Sequence, residues 1–218
     1  YQILHLDLDQ MRDTNEVRPA PRLEADGSNL ANVYSTLSRR EQDAVSSQLG
    51  QLVPEFSDVD VRPAVNAGHQ ELLFQDRWNK EVWYKTTEVS DGTMLLLAFL
   101  LVQYQKPAVD LLAIEEPERA LHPYLLGELV DYLRRLSNSE LGPRAIQIVM
   151  ATHSAELLEF LQPEEVRFMS RDEKDGAVVV TEAPVTTPAW KKSFSEYKNS
   201  LSSAWLSGGL GGVPGRMG

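Results

Sequence analysis

Cysteine is absent from the 218 residues, which excludes disulfides, zinc-thiolate centres and thiol nucleophiles and suits a reducing compartment. Long apolar runs are missing too. The longest, Met94 to Val102, falls well short of the roughly 20 residues that a membrane-spanning helix needs. The first residues lack the charged and apolar regions of a signal peptide, so a cytoplasmic protein with no membrane partner is expected. Basic residues are in deficit: Lys and Arg number 21 against 32 Asp and Glu, a formal net charge of -11. Phosphate contacts need clustered cations, so this balance argues against broad electrostatic binding of DNA by the chain alone. The adjacent pairs Arg39-Arg40, Arg134-Arg135 and Lys191-Lys192 leave room only for local patches, and each reads better as a solvated helix face. Also absent is Gly-x-x-x-x-Gly-Lys-Ser/Thr, the loop whose amides and lysine hold the β and γ phosphates of a nucleotide. Apolar residues are not scarce: at 42% they can build a real core in one domain or two subdomains.

The most informative stretch is Val109-Asp-Leu-Leu-Ala-Ile-Glu115-Glu116-Pro117-Glu118. A continuous aliphatic run of this length predicts a strand buried on both faces, as inside a parallel sheet. Ligands of open α/β sheets bind beyond the carboxyl ends of the strands, so the acids Glu115 and Glu116 stand where a metal–nucleotide complex is usually held. Adjacent carboxylates repel unless a cation or water lies between them. A charged strand exit on a solvated loop accounts for this segment equally well by itself. A second apolar run, Ala145 to Ala151, ends in Thr152-His153-Ser154. Between the two runs, Leu125, Leu126, Leu129, Val130, Leu133 and Leu136 recur at helical spacing behind Pro123, a residue suited to a first turn. Strand, helix, strand has room for a right-handed crossover between parallel neighbours, which brings both strand ends to one edge and lets Glu116 meet His153.

Upstream, Val89-Ser90-Asp91-Gly92-Thr93 precedes the all-apolar run from Met94. The run predicts a buried helix, with Ser90 or Asp91 as its cap. A capped helix start beside a glycine also presents amides and a positive dipole end suited to phosphate, although such sequences are mostly plain caps.

Taken in order, these pieces resemble the C-terminal half of an ABC-type ATPase head, in particular the predicted ATPases related to the overcoming-lysogenization-defect proteins and, more distantly, the SMC and RecF heads. Val89 to Thr93 resembles the signature sequence, Ile114 to Glu118 the Walker B strand, Arg119-Ala-Leu-His122-Pro123 the D-loop, and Ala151-Thr-His153-Ser154 the switch histidine. The match is strong over residues 89–171. It implies an α/β fold, the C-terminal portion of a P-loop NTPase, with parallel core strands, helices on the faces and a small antiparallel meander. It also implies ATP and Mg2+ as cofactors. Glu115 would take the metal-associated position, where many relatives have Asp, and Glu116 and His153 the catalytic ones. Ser90, Asp91, Gly92, Thr93 and His122 would border the nucleotide. The family carries its phosphate loop nearer the N-terminus, with a water-binding Gln further on, and a chain starting at Tyr1 is expected to begin after both. The implied partners are therefore an N-terminal half carrying Walker A and a second head in a homodimer, with DNA as a candidate for the coupled process.

Three segments are expected: residues 1–88 as a partial head with a helical and meander subdomain, 89–182 as the motif-bearing core, and 183–218 as a C-terminal tail. Ser38-Arg-Arg-Glu41 predicts a capping box before a helix with Val45, Leu49 and Leu52 on one stripe. Val59–Val65, Glu71–Gln75 and Glu81–Lys85 predict the meander, and Glu165–Arg171 with Ala177–Glu182 a hairpin. Asp7-x-Asp9 reads as alternating residues on a strand edge rather than a metal site. Asp26-Gly-Ser28-Asn29-Leu30 is familiar from the same predicted ATPases and receives no chemistry. Leu206-Ser207-Gly208-Gly209 imitates a signature in letters only, since Gly and Pro follow it, and the chain from Ser207 is expected to be mobile. An interaction module of the same fold without catalysis is the alternative. A nuclease would need a further acidic domain after the head.

Overall fold

The structure is a computed structural model and describes residues 1–141, 144–172 and 174–207. The chain forms two compact units, Tyr1–Thr152 and His153–Gly218.

The first unit runs β1 (Gln2–Leu4), α1 (Leu8–Arg12), β2 (Asn15–Glu16), α2 (Leu30–Thr36), α3 (Arg39–Leu52), β3 (Phe56–Pro63), β4 (His69–Asp76), β5 (Trp83–Lys85), α4 (Asp91–Val102), β6 (Leu111–Glu115), α5 (Pro123–Ser137) and β7 (Gln147–Ala151). Its centre is α4. Every residue from Gly92 to Val102 is buried, so this helix is apolar all round because every face meets protein. Tyr132 on α5 donates its hydroxyl to the Phe99 carbonyl at 3.0 Å, and burial pushes that phenol's pKa far up. The helix α5 buries Leu126, Leu129, Val130, Leu133 and Leu136 on one face, the stripe read from the sequence.

Strands β1, β6 and β7 form a parallel sheet in that order. The expectation of burial on both faces requires correction. Leu112 and Ile114 are buried, whereas in the alternate row Ala113 is only half-buried and its neighbours in register, Ile3 and Val149, are exposed, Val149 by 51%. Period-2 geometry sends successive side chains to opposite faces, and the described residues cover only one of them well.

The meander is present as a separate antiparallel sheet. Strand β4 is central, with β3 along one edge and β2 and β5 sharing the other. Tyr34 of α2 ties it down by donating to the Val59 carbonyl at 2.7 Å and pairing with Ser46 of α3. The capping box at α3 also forms: Ser38 Oγ accepts from the Glu41 amide, and Glu41 Oε2 accepts from the Ser38 amide at 2.8 Å. Ser38→Ala is expected to cost about 1 kcal/mol, seen as a lower urea midpoint at unchanged slope. Hydrogen bonding from the Ser38 hydroxyl, the largest influence, holds the Glu41 carboxyl below its ordinary pKa. A carboxyl depressed by folding stabilises above its unfolded pKa and loses that increment as the pH falls through its folded value, so the gap between wild type and variant should narrow on acidification.

Residues 6–9 form no strand edge, because Asp7 caps α1, accepting from the amides of Asp9 and Gln10 at 2.9 and 3.1 Å. The Asp26-Gly-Ser-Asn segment is architectural. Gly27 has φ +78°, and a Cβ there would stand 2.6 Å from Met11 Cγ, so glycine is required both for conformation and for the close approach of α1.

The second unit contains α6 (Ala155–Leu158), β8 (Arg167–Arg171), β9 (Val178–Glu182), α7 (Pro188–Glu196) and α8 (Leu201–Leu206). Strands β8 and β9 form the expected hairpin. Phe168, Leu158, Ala183 and Leu201 make its small core, flanked by Trp190 and Phe194 stacked at 5.0 Å. Helices α7 and α8 lie within residues 183–207. The glycine-rich imitation of a signature at Gly208-Gly209 lies outside the described residues. No helix among the described residues is long and apolar enough to cross a membrane.

Candidate functional site

Parallel pairing of β6 and β7 sets Glu115 opposite Ala151, and the Glu116 amide donates to the Ala151 carbonyl at 2.8 Å. Both strands end together here. Pairing of β1 with β6 matches Leu4 to Ile114, so the next residue, His5, arrives beside Glu115. Its Nδ1 lies 2.5 Å from Glu115 Oε2. His5 was not anticipated, since three residues of β1 carry no readable period and their partner is far away in sequence. Leu95, Phe99 and Ile114 from the core, with His5, Glu115, Glu116 and Arg119, line a small cavity of ≈ 120 Å³ at this edge.

Glu116 has φ +45°, a left-handed conformation that costs a non-glycine residue about 1–2 kcal/mol. Such strain is kept where the surroundings dictate it, often at functional sites. It starts a tight turn in which the Arg119 amide donates to the Glu116 carbonyl and the Leu121 amide to the Glu118 carbonyl, both at 3.0 Å, while Ala120 also takes a positive φ. Thr152, just beyond β7, donates to Glu118 Oε1 at 2.5 Å. The other Glu118 oxygen is buried without a hydrogen-bond partner among the described residues.

The segment 89–93 packs on this turn. A Cβ at Gly92 would come within 3.0 Å of the Ala120 carbonyl oxygen, so glycine lets the start of α4 touch the residues following the acids. Ser90 is the N-cap: its Oγ accepts from the Thr93 amide at 3.1 Å and pairs with the Thr93 hydroxyl at 2.8 Å. Ser90 is exposed and Thr93 is buried, so Ser90 is the hydroxyl of this pair that faces solvent. Asp91 is exposed and bonded to Arg12 Nη2 at 2.6 Å. His122 caps α5 through Nδ1, which accepts from the Tyr124 amide at 3.3 Å. The structure therefore brings Ser90, Asp91, Gly92, Glu115, Glu116 and the turn leading to His122 into one region of the first unit. His153 is exposed and is the first residue of the second unit, directly following Thr152.

The donors fit a hard cation. Glu115 is 59% exposed at its side chain, open to a hydrated ion, and its oxygens suit magnesium. No group of three or more His, Cys, Asp or Glu able to hold a metal occurs among the described residues. A cation here would rest on one or two carboxylates, water and substrate oxygens, which is how magnesium is held in phosphate-handling sites.

A family model described as "AAA domain, putative AbiEii toxin, Type IV TA system" matches residues 5–159. No curated protein matches the chain. Among solved structures, an Smc head bound to the C-winged helix domain of ScpA superposes with a TM-score of 0.54 at 16% identity, over 85% of this chain and 56% of that one. A structure from work on ATP-driven dimerization and DNA-stimulated activation of SMC ATPases gives 0.47 at 16% identity, over 78% of this chain and 97% of that one. The SMC head domain from Thermotoga maritima gives 0.44 at 16% identity, over 71% and 49%. The first of these similarities, at this identity, speaks to the fold alone, which is like that of an Smc head.

Proposed function

The chain belongs to this AAA domain family, with residues 5–159 inside it, and from that premise we propose that it is the signature-bearing half of an ABC-type ATPase head that hydrolyses ATP in a head-to-head homodimer. The phosphate loop would come from a segment outside this sequence. The observation that carries the proposal is the parallel register that brings Glu115 and Glu116 to one sheet edge, against the turn on which Gly92 packs.

In this reading Glu115 holds magnesium through water, and the magnesium supplies neutralisation of phosphate charge. Glu116 orients the attacking water and accepts its proton. Ser90 and the Gly92 amide face the phosphates bound by the opposite head, and His153 contacts the terminal phosphate. Positioning and electrostatics of this kind carry most of the catalysis of phosphoryl transfer. The coupled process is DNA repair, chromosome maintenance or defence against phage, located in the cytoplasm. The family's association with a type IV toxin–antitoxin system favours defence.

The metal assignment is tested with the protein that carries both halves. Removal of magnesium should abolish turnover, and Glu115→Gln should raise the magnesium concentration for half-maximal turnover by about tenfold or more. An unchanged magnesium requirement in that variant would remove Glu115 from the site.

A further inference from the structure

Arg12 ends α1, and its side chain is only 16% exposed. It grips the signature segment from several sides. Its Nη2 donates to the Val89 carbonyl at 3.0 Å and to Asp91 Oδ1 at 2.6 Å, while its own carbonyl accepts from Thr86 Oγ1 at 2.8 Å. Its Nη1 is buried and has no hydrogen-bond partner among the described residues, a costly arrangement that calls for a compensating need. The helix bearing it is seated by Met11, 1% exposed and packed on Gly27, whose missing side chain makes room for it.

Asp91 explains the need. An acid in the first turn suits the dipole of α4, yet it adjoins Ser90 and Gly92, where the reading above brings in an anionic phosphate. An unpaired carboxylate there repels that phosphate. We propose that Arg12 is a positioning residue of the signature segment, neutralising Asp91 and pinning the Val89 carbonyl so that the corner formed by Ser90 and Gly92 accepts the phosphates of the opposite head. This rests on the ATPase reading and adds to it a residue that no motif contains. A fixed, planar donor pair suits the task, since a lysine can balance the charge but cannot hold carboxylate and carbonyl together as well.

The test uses ATP-driven dimer closure of the protein carrying both halves, followed by light scattering across ATP concentrations. Arg12→Gln should raise the ATP needed for half-maximal closure by about tenfold or more, and Arg12→Lys by less than that. Arg12→Gln/Asp91→Asn should recover to within about threefold of wild type, because the corner is again neutral. A double variant no better than Arg12→Gln, or Arg12→Lys as poor as Arg12→Gln, would overturn the neutralising role and leave a packing residue. Should the wild type itself not close with ATP, the ATPase reading fails, and the clamp is judged on this chain alone by hydrogen exchange. Arg12→Gln should then speed exchange of the Gly92 and Thr93 amides by about tenfold relative to those of β4, and equal rates would overturn the clamp as well.

Discussion

Glu116→Gln should bind Mg-ATP and still fail to turn it over, with hydrolysis slowed by about two orders of magnitude or more. The amide has nearly the size and shape of the carboxylate, so the tight turn and the bond from the residue 116 amide to the Ala151 carbonyl are kept. What is lost is the anionic oxygen that aligns water and takes its proton. The φ of +45° sets where the Cα–Cβ bond leaves the turn, and glutamine keeps that geometry, so the isosteric variant is a clean probe. It should accumulate as an ATP-bound dimer, visible by size exclusion in ATP and dispersed in ADP. Normal hydrolysis by Glu116→Gln, together with loss of turnover but intact metal binding in Glu115→Gln, would mean that the two carboxylates have exchanged roles.

Ser90→Arg should leave the fold and weak ATP binding nearly intact and abolish dimer closure. Its hydroxyl caps α4, and loss of such a cap costs about 1 kcal/mol, well within the stability of a domain of this size. The arginine, however, would stand in the exposed space that a second head must enter. Mixed with a variant disabled at the phosphate-loop lysine, Ser90→Arg pairs both defects in one composite site and leaves the other sound. Up to half the wild-type activity per heterodimer is expected if the two sites fire independently. No recovery in proven heterodimers would place the whole site within one head or couple the two sites obligatorily.

The parts of the fold visible in the sequence are those with local causes. The capping box of Ser38 and Glu41, the apolar run of α4 behind Ser90, the stripe of α5 and the paired strands β6 and β7 are each written within a few residues. The acids at the end of β6 were legible for the same reason, as an abrupt change of polarity at a strand exit. What stayed hidden depends on distant partners. Strand β1 is three residues long and pairs far along the chain, so neither it nor the arrival of His5 at Glu115 leaves a local trace. Helix α1 spans five residues, too few for a helical period to appear, and Asp7 and Asp9 looked like alternation on a strand. The openness of the Val149 row was hidden as well, because an aliphatic run states that a strand is apolar but not how many of its faces are covered.

In the proposed ATPase this chain supplies the acids and the signature segment, and a second segment supplies the phosphate loop. Phosphate release from ATP, measured for the purified chain, for a phosphate-loop half and for their mixture, tests this division most directly. No turnover is expected from the chain alone, and the mixture should show magnesium-dependent turnover that Glu116→Gln removes. Robust hydrolysis by the purified chain alone, or a mixture that binds ATP as a dimer without hydrolysing it, would rule out a split ATPase site.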